Sequence, residues 1–128
     1  MSLQIADAWR RVAREAHSAA RRLGGNSPRG ALNRSYYAIF AWTHAELIAT
    51  GLKPRKGYGT WSHENLPTMV ETYMPTKRNK LRIRTWAQAL RKTRKLREFG
   101  DYYPRHAIGE IEVVSSLKET RRVLDFSA

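Results

Sequence analysis

The sequence predicts an all-α chain folded as an up-and-down antiparallel bundle of four to five helices. Three observations predict it. Apolar residues recur at steps of three and four along most of the chain, glycine and proline punctuate it where helices should end, and no run of alternating β-branched residues is bounded by turn pairs. Long helices joined by short loops settle into an antiparallel bundle. A length of 128 residues suits a single domain over 1–128, large enough to bury a core without a disulfide or a metal.

The first helix is expected from about Leu3 to Leu23, with Ile5, Trp9, Val12, Ala16, Ala19 and Leu23 as its apolar stripe and Gly24-Gly25 as its stop. Ser27-Pro28 reads as the next start, with serine as N-cap and proline in the first turn. That second helix runs to about Thr50, closed by Gly51, and turns Asn33, Tyr36, Tyr37, Phe40, His44 and Leu47 inward. Leu52 to Trp61 is a basic loop carrying Lys53, Arg55 and Lys56. A short third helix lies within Ser62–Met74, kinked by Pro67 or beginning later than Ser62. The fourth spans about Thr76–Glu98, with Ile83, Trp86, Ala87 and Leu90 inward, and Phe99-Gly100-Asp101 with Pro104 reads as a turn. The fifth begins at His106 or Gly109 and ends near Asp125, with Val113, Val114, Leu117 and Leu124 inward.

The absence of cysteine excludes disulfides, thiolate metal sites and a cysteine nucleophile. No histidine pair has ligand spacing with a carboxylate, so no metal site and no cofactor are expected. No phosphate-binding glycine loop, dinucleotide fingerprint or nucleophile elbow is present. No apolar run reaches membrane-spanning length, and the charged N-terminus lacks a secretory h-region, which points to the cytoplasm.

Charge is the most informative property of the composition. Lys and Arg number 24 against 11 Asp and Glu, a formal net charge of +13, which implies a polyanionic partner. Nucleic acid is the first reading; an acidic membrane surface or an acidic protein would also answer the charge. Residues 76–97 hold ten basic residues and no acidic one. Within them Arg84, Gln88, Arg91 and Lys95 share a helical face suited to tracking phosphates, or else form a solvated face. Arg94 and Arg97 continue the inward seam of the same helix. They pair with Asp101 or Glu98 or snorkel to solvent, or they line a cationic cleft or a subunit interface. His44, on an apolar face, reads as a core histidine; His63, at a helix start, reads as a structural hydrogen-bonder or a cleft residue. His17 and His106 read as surface residues. Tyr36 and Tyr37 read as core, which leaves Trp61 in the basic loop as the better base-stacking candidate, with Arg34 at the cleft edge.

Two segments in register resemble a known family. Asn33 to Ile48, NRSYYAIFAWTHAELI, resembles the R-x-YYA-x-F helix of HEPN domains. Leu90 to Pro104, LRKTRKLREFGDYYP, resembles the R-x-x-A-D-Y segment of small stand-alone bacterial and archaeal members, with Trp61-Ser62-His63 placed between them. The resemblance implies a helical bundle that frequently forms homodimers and is often encoded beside a nucleotidyltransferase-like partner, as in toxin–antitoxin pairs. It also implies metal-independent ribonuclease activity in many members, built on an arginine followed after four to six residues by a histidine. Carried onto this chain, the arginine is Arg97, while Tyr102 stands where the histidine would, and His106 lies too far along. A tyrosine is a poor general base at neutral pH. The resemblance therefore favours a module that binds RNA or serves an RNA-directed system, with Arg97, Asp101, Tyr102 and His63 as the residues of an active centre if the chain cuts RNA. A protein-interaction domain docking an acidic partner is the further alternative.

Overall fold

The computed structural model describes residues 2–54, 59–74 and 80–126. Five α-helices account for most of them: α1 Ser2–Leu23, α2 Pro28–Ala49, α3 Leu66–Tyr73, α4 Lys80–Tyr102 and α5 Glu110–Phe126. The expected start of the fourth helix at Thr76 lies outside the described residues. No strand occurs among the described residues. The all-α bundle predicted from the sequence is the fold.

The order of directions follows from which residues meet. Arg29 reaches the end of α4, whereas Thr43, further along α2, bonds Trp86 near its start, so α2 and α4 run antiparallel. Lys92 meets Glu119 across α4 and α5, again antiparallel, and Arg10 meets Glu46 across α1 and α2. Long helices thus alternate up, down, up and down, with short α3 against α4.

Helix α2 is the centre of the bundle. It is buried from Ala31 to Ile48 apart from the half-exposed Asn33, Arg34 and Tyr37, because its neighbours cover it from several sides. Several of its polar side chains are satisfied internally, although the buried Trp42 Nε1 has no hydrogen-bond partner among the described residues. Ser35 sits in a buried cluster with Ser116 at 2.9 Å and Thr120 at 3.1 Å, and Thr43 donates to the Ile39 carbonyl while accepting from Trp86 Nε1. Gly51 closes α2 at φ +96°, where a Cβ would be strained; its N–H bonds Ile48 O and the Leu52 N–H bonds Leu47 O. Ser27 stands at the expected N-cap position, but its side chain makes no capping bond.

Of the expected inward stripe of α1, Ala16 is buried and Trp9, Val12 and Leu23 pack half-buried against the core, while Ile5 is turned outward. Ile5 is 46% exposed, and the deepest positions are Ala6, Ala13, Ala16 and Ala20. Bulk in the sequence points to Ile5, yet it is the alanine row that faces α2, where Ala38, Ala41 and Ala45 are also fully buried. Small side chains on both helices let their axes approach closely. Helix α3 starts at Leu66, beyond Ser62, with Pro67 in its first turn, where proline removes no needed donor.

The structure corrects two further expectations. Val114 of α5 points outward, 54% exposed, while Val113 and Val123 are the buried valines. Phe99-Gly100-Asp101 is no turn: α4 continues through it to Tyr102. Gly100 faces α2, where a Cβ on it would lie in ordinary contact, 3.4 Å from Leu32 Cδ1 and 3.6 Å from Arg29 Cα. The real end of α4 is held from outside. Arg29 donates from Nη1 to the carbonyls of Phe99, Gly100 and Tyr103, and from Nη2 to those of Pro104 and His106. Two of these acceptors, Phe99 O and Gly100 O, belong to α4, so the guanidinium ties the helix's C-terminal carbonyls to the turn that follows.

Candidate functional site

On α2, Asn33, Tyr37, Phe40 and His44 step by four, three and four along one face, with Tyr36 beside them. This face looks toward Trp9 of α1, Arg97 of α4 and the turn holding His63. The space between them is a cleft of about 300 Å³ whose walls are the rings of Trp9, Tyr37 and Phe40 and whose polar groups include Asn33, Arg34, His63 and Arg97.

The polar side of the cleft is a chain of hydrogen bonds. Arg97 Nε donates to Asp101 Oδ2 at 3.1 Å, one helical turn away, and Asn33 Nδ2 donates to the same oxygen at 3.1 Å. Asn33 Oδ1 in turn accepts from Arg34 Nε at 3.3 Å and Nη2 at 3.1 Å. Asp101 can reach both partners only because α4 stays helical through Gly100. The Arg97 guanidinium also lies 5.7 Å from the Tyr36 ring, and that of Arg34 lies 5.0 Å from the Tyr37 ring. Among the described residues the Nη groups of Arg97 have no hydrogen-bond partner, so its outer donors are left for a ligand.

His63 is held from two directions. Its Nδ1 lies 2.7 Å from the Tyr36 hydroxyl, and its ring packs at 4.8 Å from that of Phe40. The turn carrying it is fixed by Ser62, whose Oγ accepts the Asn65 N–H, and by the Trp61 N–H donated to His44 Nε2 at 3.0 Å. Since Nε2 of the fully buried His44 accepts, Nδ1 carries the proton and donates to the Phe40 carbonyl at 2.9 Å. Burial pushes the His44 pKa down to about 4. His44 is thus the satisfied core histidine that its apolar surroundings predict, and it also pins the segment that leads to His63. Burial, then the nearby Arg97 and Arg94 charges, lower the His63 pKa from its ordinary value, so the ring is neutral at pH 7. Burial raises Tyr36 to about 12, so its hydroxyl keeps its proton.

Comparison with protein-family models, curated proteins and solved structures gives no match to this chain.

A second, shallower groove of about 540 Å³ adjoins the cleft and shares His63 with it; Arg91, Arg94 and Lys95 line it together with Glu64 and Glu98. The acids missing from 76–97 come from elsewhere in the fold. Arg91 pairs with Glu71 at 2.6 Å, Lys92 with Glu119 at 3.6 Å and Arg94 with Glu98 at 3.2 Å. Arg94 and Arg97 therefore pair at i,i+4 while also lining grooves. Arg84 and Lys95 are exposed on the same face of α4 and have no ion pair among the described residues.

Other predicted site residues lie apart. Tyr102 is 65% exposed and lines neither groove. His106 is exposed and stacks on Phe99 at 4.4 Å. Lys53 is exposed after α2, and Trp61 is half-buried with its ring 5.2 Å from that of His44. Arg55 and Lys56 lie outside the described residues. Sequence reasoning misses Asn33 and Trp9 as site residues. An asparagine on an otherwise aromatic face is the available signal for Asn33, since a polar group there needs partners.

The arrangement offers two guanidiniums at the rim of a ring-walled cleft and one neutral imidazole inside. Guanidinium forks suit phosphate oxygens, and aromatic walls suit a planar base. No group of three His, Asp or Glu able to hold a metal occurs among the described residues. No described helix is long and apolar enough to cross a membrane.

Proposed function

We propose that the chain is a HEPN-type module that binds RNA in the cytoplasm through the cleft around Arg97. The observation that carries this reading is the placement of Arg34 and Arg97 at the rim of a cleft walled by Trp9, Tyr37 and Phe40. A phosphate takes the guanidiniums, an unstacked base takes the rings, and the strand continues over Arg91 and Lys95 toward Arg84. Single-stranded segments supply such bases; paired ones do not. The motif resemblance adds a homodimer and a nucleotidyltransferase-like partner to this proposal.

A metal-independent ribonuclease is the second reading, favoured by one observation: neutral His63 lies in the same cleft as Arg97. In it, His63 takes the 2′-hydroxyl proton and the 2′-oxygen attacks phosphorus. The 5′-oxygen leaves with a proton from water, and a 2′,3′-cyclic phosphate remains, with Arg97 against the phosphoryl charge. Tyr102 and His106, which lie outside the cleft, take no part.

The test is fluorescence polarisation with labelled single-stranded and duplex RNA at several salt concentrations, with denaturing gels run in EDTA beside it. Binding is expected to prefer single strands, to weaken with salt, and to fall roughly tenfold in Arg97→Ala. Cleavage in EDTA that disappears in both Arg97→Ala and His63→Ala would establish the nuclease. No binding at low salt would remove both readings.

A further inference from the structure

On the side of α2 opposite the cleft, α5 carries an apolar strip that no part of the described chain covers. Ile111 is 84% exposed and Val114 54% exposed, with half-buried Leu117 one turn on. Val114 and Leu117 form the floor of a groove of about 560 Å³ between α1 and α5. Both walls are basic. Arg21 stands on α1, and Lys118, Arg121 and Arg122 stand on α5. Asp125 is the one carboxylate that lines this groove, 3.8 Å from Arg121 with both side chains largely exposed, a pair worth little in water. His17, expected at the surface, is half-buried there, and burial followed by the Arg21 and Arg121 charges lowers its pKa.

We propose that this groove docks an acidic amphipathic helix of a partner protein. An apolar floor between two cationic walls is the complement of a helix with leucine-like anchors at i, i+3 or i+4 and carboxylates on both flanks. A nucleic acid would meet the cationic walls with its phosphates but would leave the apolar floor of Val114 and Leu117 unmatched, and of the rings in this groove only the half-buried His17 could face a base, whereas an amphipathic helix uses walls and floor together. A second copy of the chain, at net charge +13, brings like charge to like. The groove shares no lining residue with the cleft around Arg97, so the two surfaces can be filled at once.

The probe is a fluorescein-labelled synthetic peptide of about 18 residues, long enough to hold a helix, with Leu at helical spacing and Glu on the flanks. A scrambled peptide of the same composition serves as control. Polarisation reads affinity, and amide NMR shifts read location on the intact protein. Expected results are saturable binding, shifts confined to residues 17–21 and 114–125, and a roughly tenfold loss in Val114→Glu and in Arg121→Glu. Both positions are exposed, so these variants fold, which circular dichroism verifies. Arg97→Ala is expected to bind the peptide as the wild type does. Equal binding of the scrambled peptide, shifts at the Arg97 cleft, or unchanged affinity in Val114→Glu would each overturn the proposal. So would a wild-type dimer that Val114→Glu converts to a monomer, because the strip would then belong to a second copy.

Discussion

The Tyr36 hydroxyl lies 2.7 Å from Nδ1 of His63, which leaves Nε2 as the ring nitrogen without a hydrogen-bond partner among the described residues. Burial is the first cause that lowers the His63 pKa, and the Arg97 and Arg94 charges add to it. In an NMR titration His63 is therefore expected to protonate below the ordinary histidine range. Arg97→Ala should move its midpoint upward, and an unmoved midpoint would mean that Arg97 does not act on this ring.

His44 gives the folded state a pH dependence whose sign is fixed. Its pKa is about 4 when folded and near the ordinary 6.5 when unfolded, so the unfolded chain binds the extra proton. The contribution, roughly 3 kcal/mol, is complete above pH 6.5 and is lost as pH falls from there toward 4. Urea titrations between pH 4 and 7 should show this slope in the wild type and a shallower one in His44→Gln, the remainder coming from His17 and His63, whose pKa values are also lowered in the fold.

Arg29 should matter more than its place near the surface suggests. Phe99 O and Tyr103 O also accept backbone N–H groups, but removing the guanidinium strips Gly100 O, Pro104 O and His106 O of this donor. Arg29→Met is expected to cost about 2 kcal/mol and to speed amide exchange around 100–109. Exchange that stays as slow as in the wild type would show that the turn stands without it.

Gly100 separates two explanations of a glycine. Gly100→Ala meets Leu32 Cδ1 at 3.4 Å, an ordinary contact, and gains up to about 1 kcal/mol of helix propensity, so it should be neutral or slightly stabilising. Gly100→Val should lose about 1–3 kcal/mol by forcing α2 and α4 apart. Thermal melts of the two variants decide it; strong destabilisation by alanine would mean that the helices tolerate no added methyl there.

The helices and their order are legible in the sequence because hydrophobic period and Gly or Pro punctuation are local properties. Spacing between helices is not local, and the sequence conceals it. Gly100 reads as a turn because a glycine in a string does not say whether it bends the backbone or admits a neighbour. Size suggests that Ile5 and Val114 turn inward, while in the fold the alanines of α1 face α2 and both larger side chains meet solvent. The site is legible in part. Arg97, His63 and Arg34 share one cleft, and the motif that points to Arg97 also contains Asp101, its ion-pair partner. The roles of Asn33, Trp9 and Arg29 depend on partners far away in sequence, which no periodicity reports. Tyr102 rests on motif position alone, and at the last residue of α4 it faces solvent.

The alanine rows of α1 and α2 belong to helices joined by only a few residues, so their contact closes a short loop. The contact that ties the two sides of the cleft together, from Asn33 to Asp101, joins residues 68 positions apart. Refolding should therefore pass through an α1–α2 hairpin before the cleft exists. Ala13→Gly should then slow folding, whereas Asp101→Asn should mainly hasten unfolding. The part of the molecule assembled last would be the part that meets its ligand.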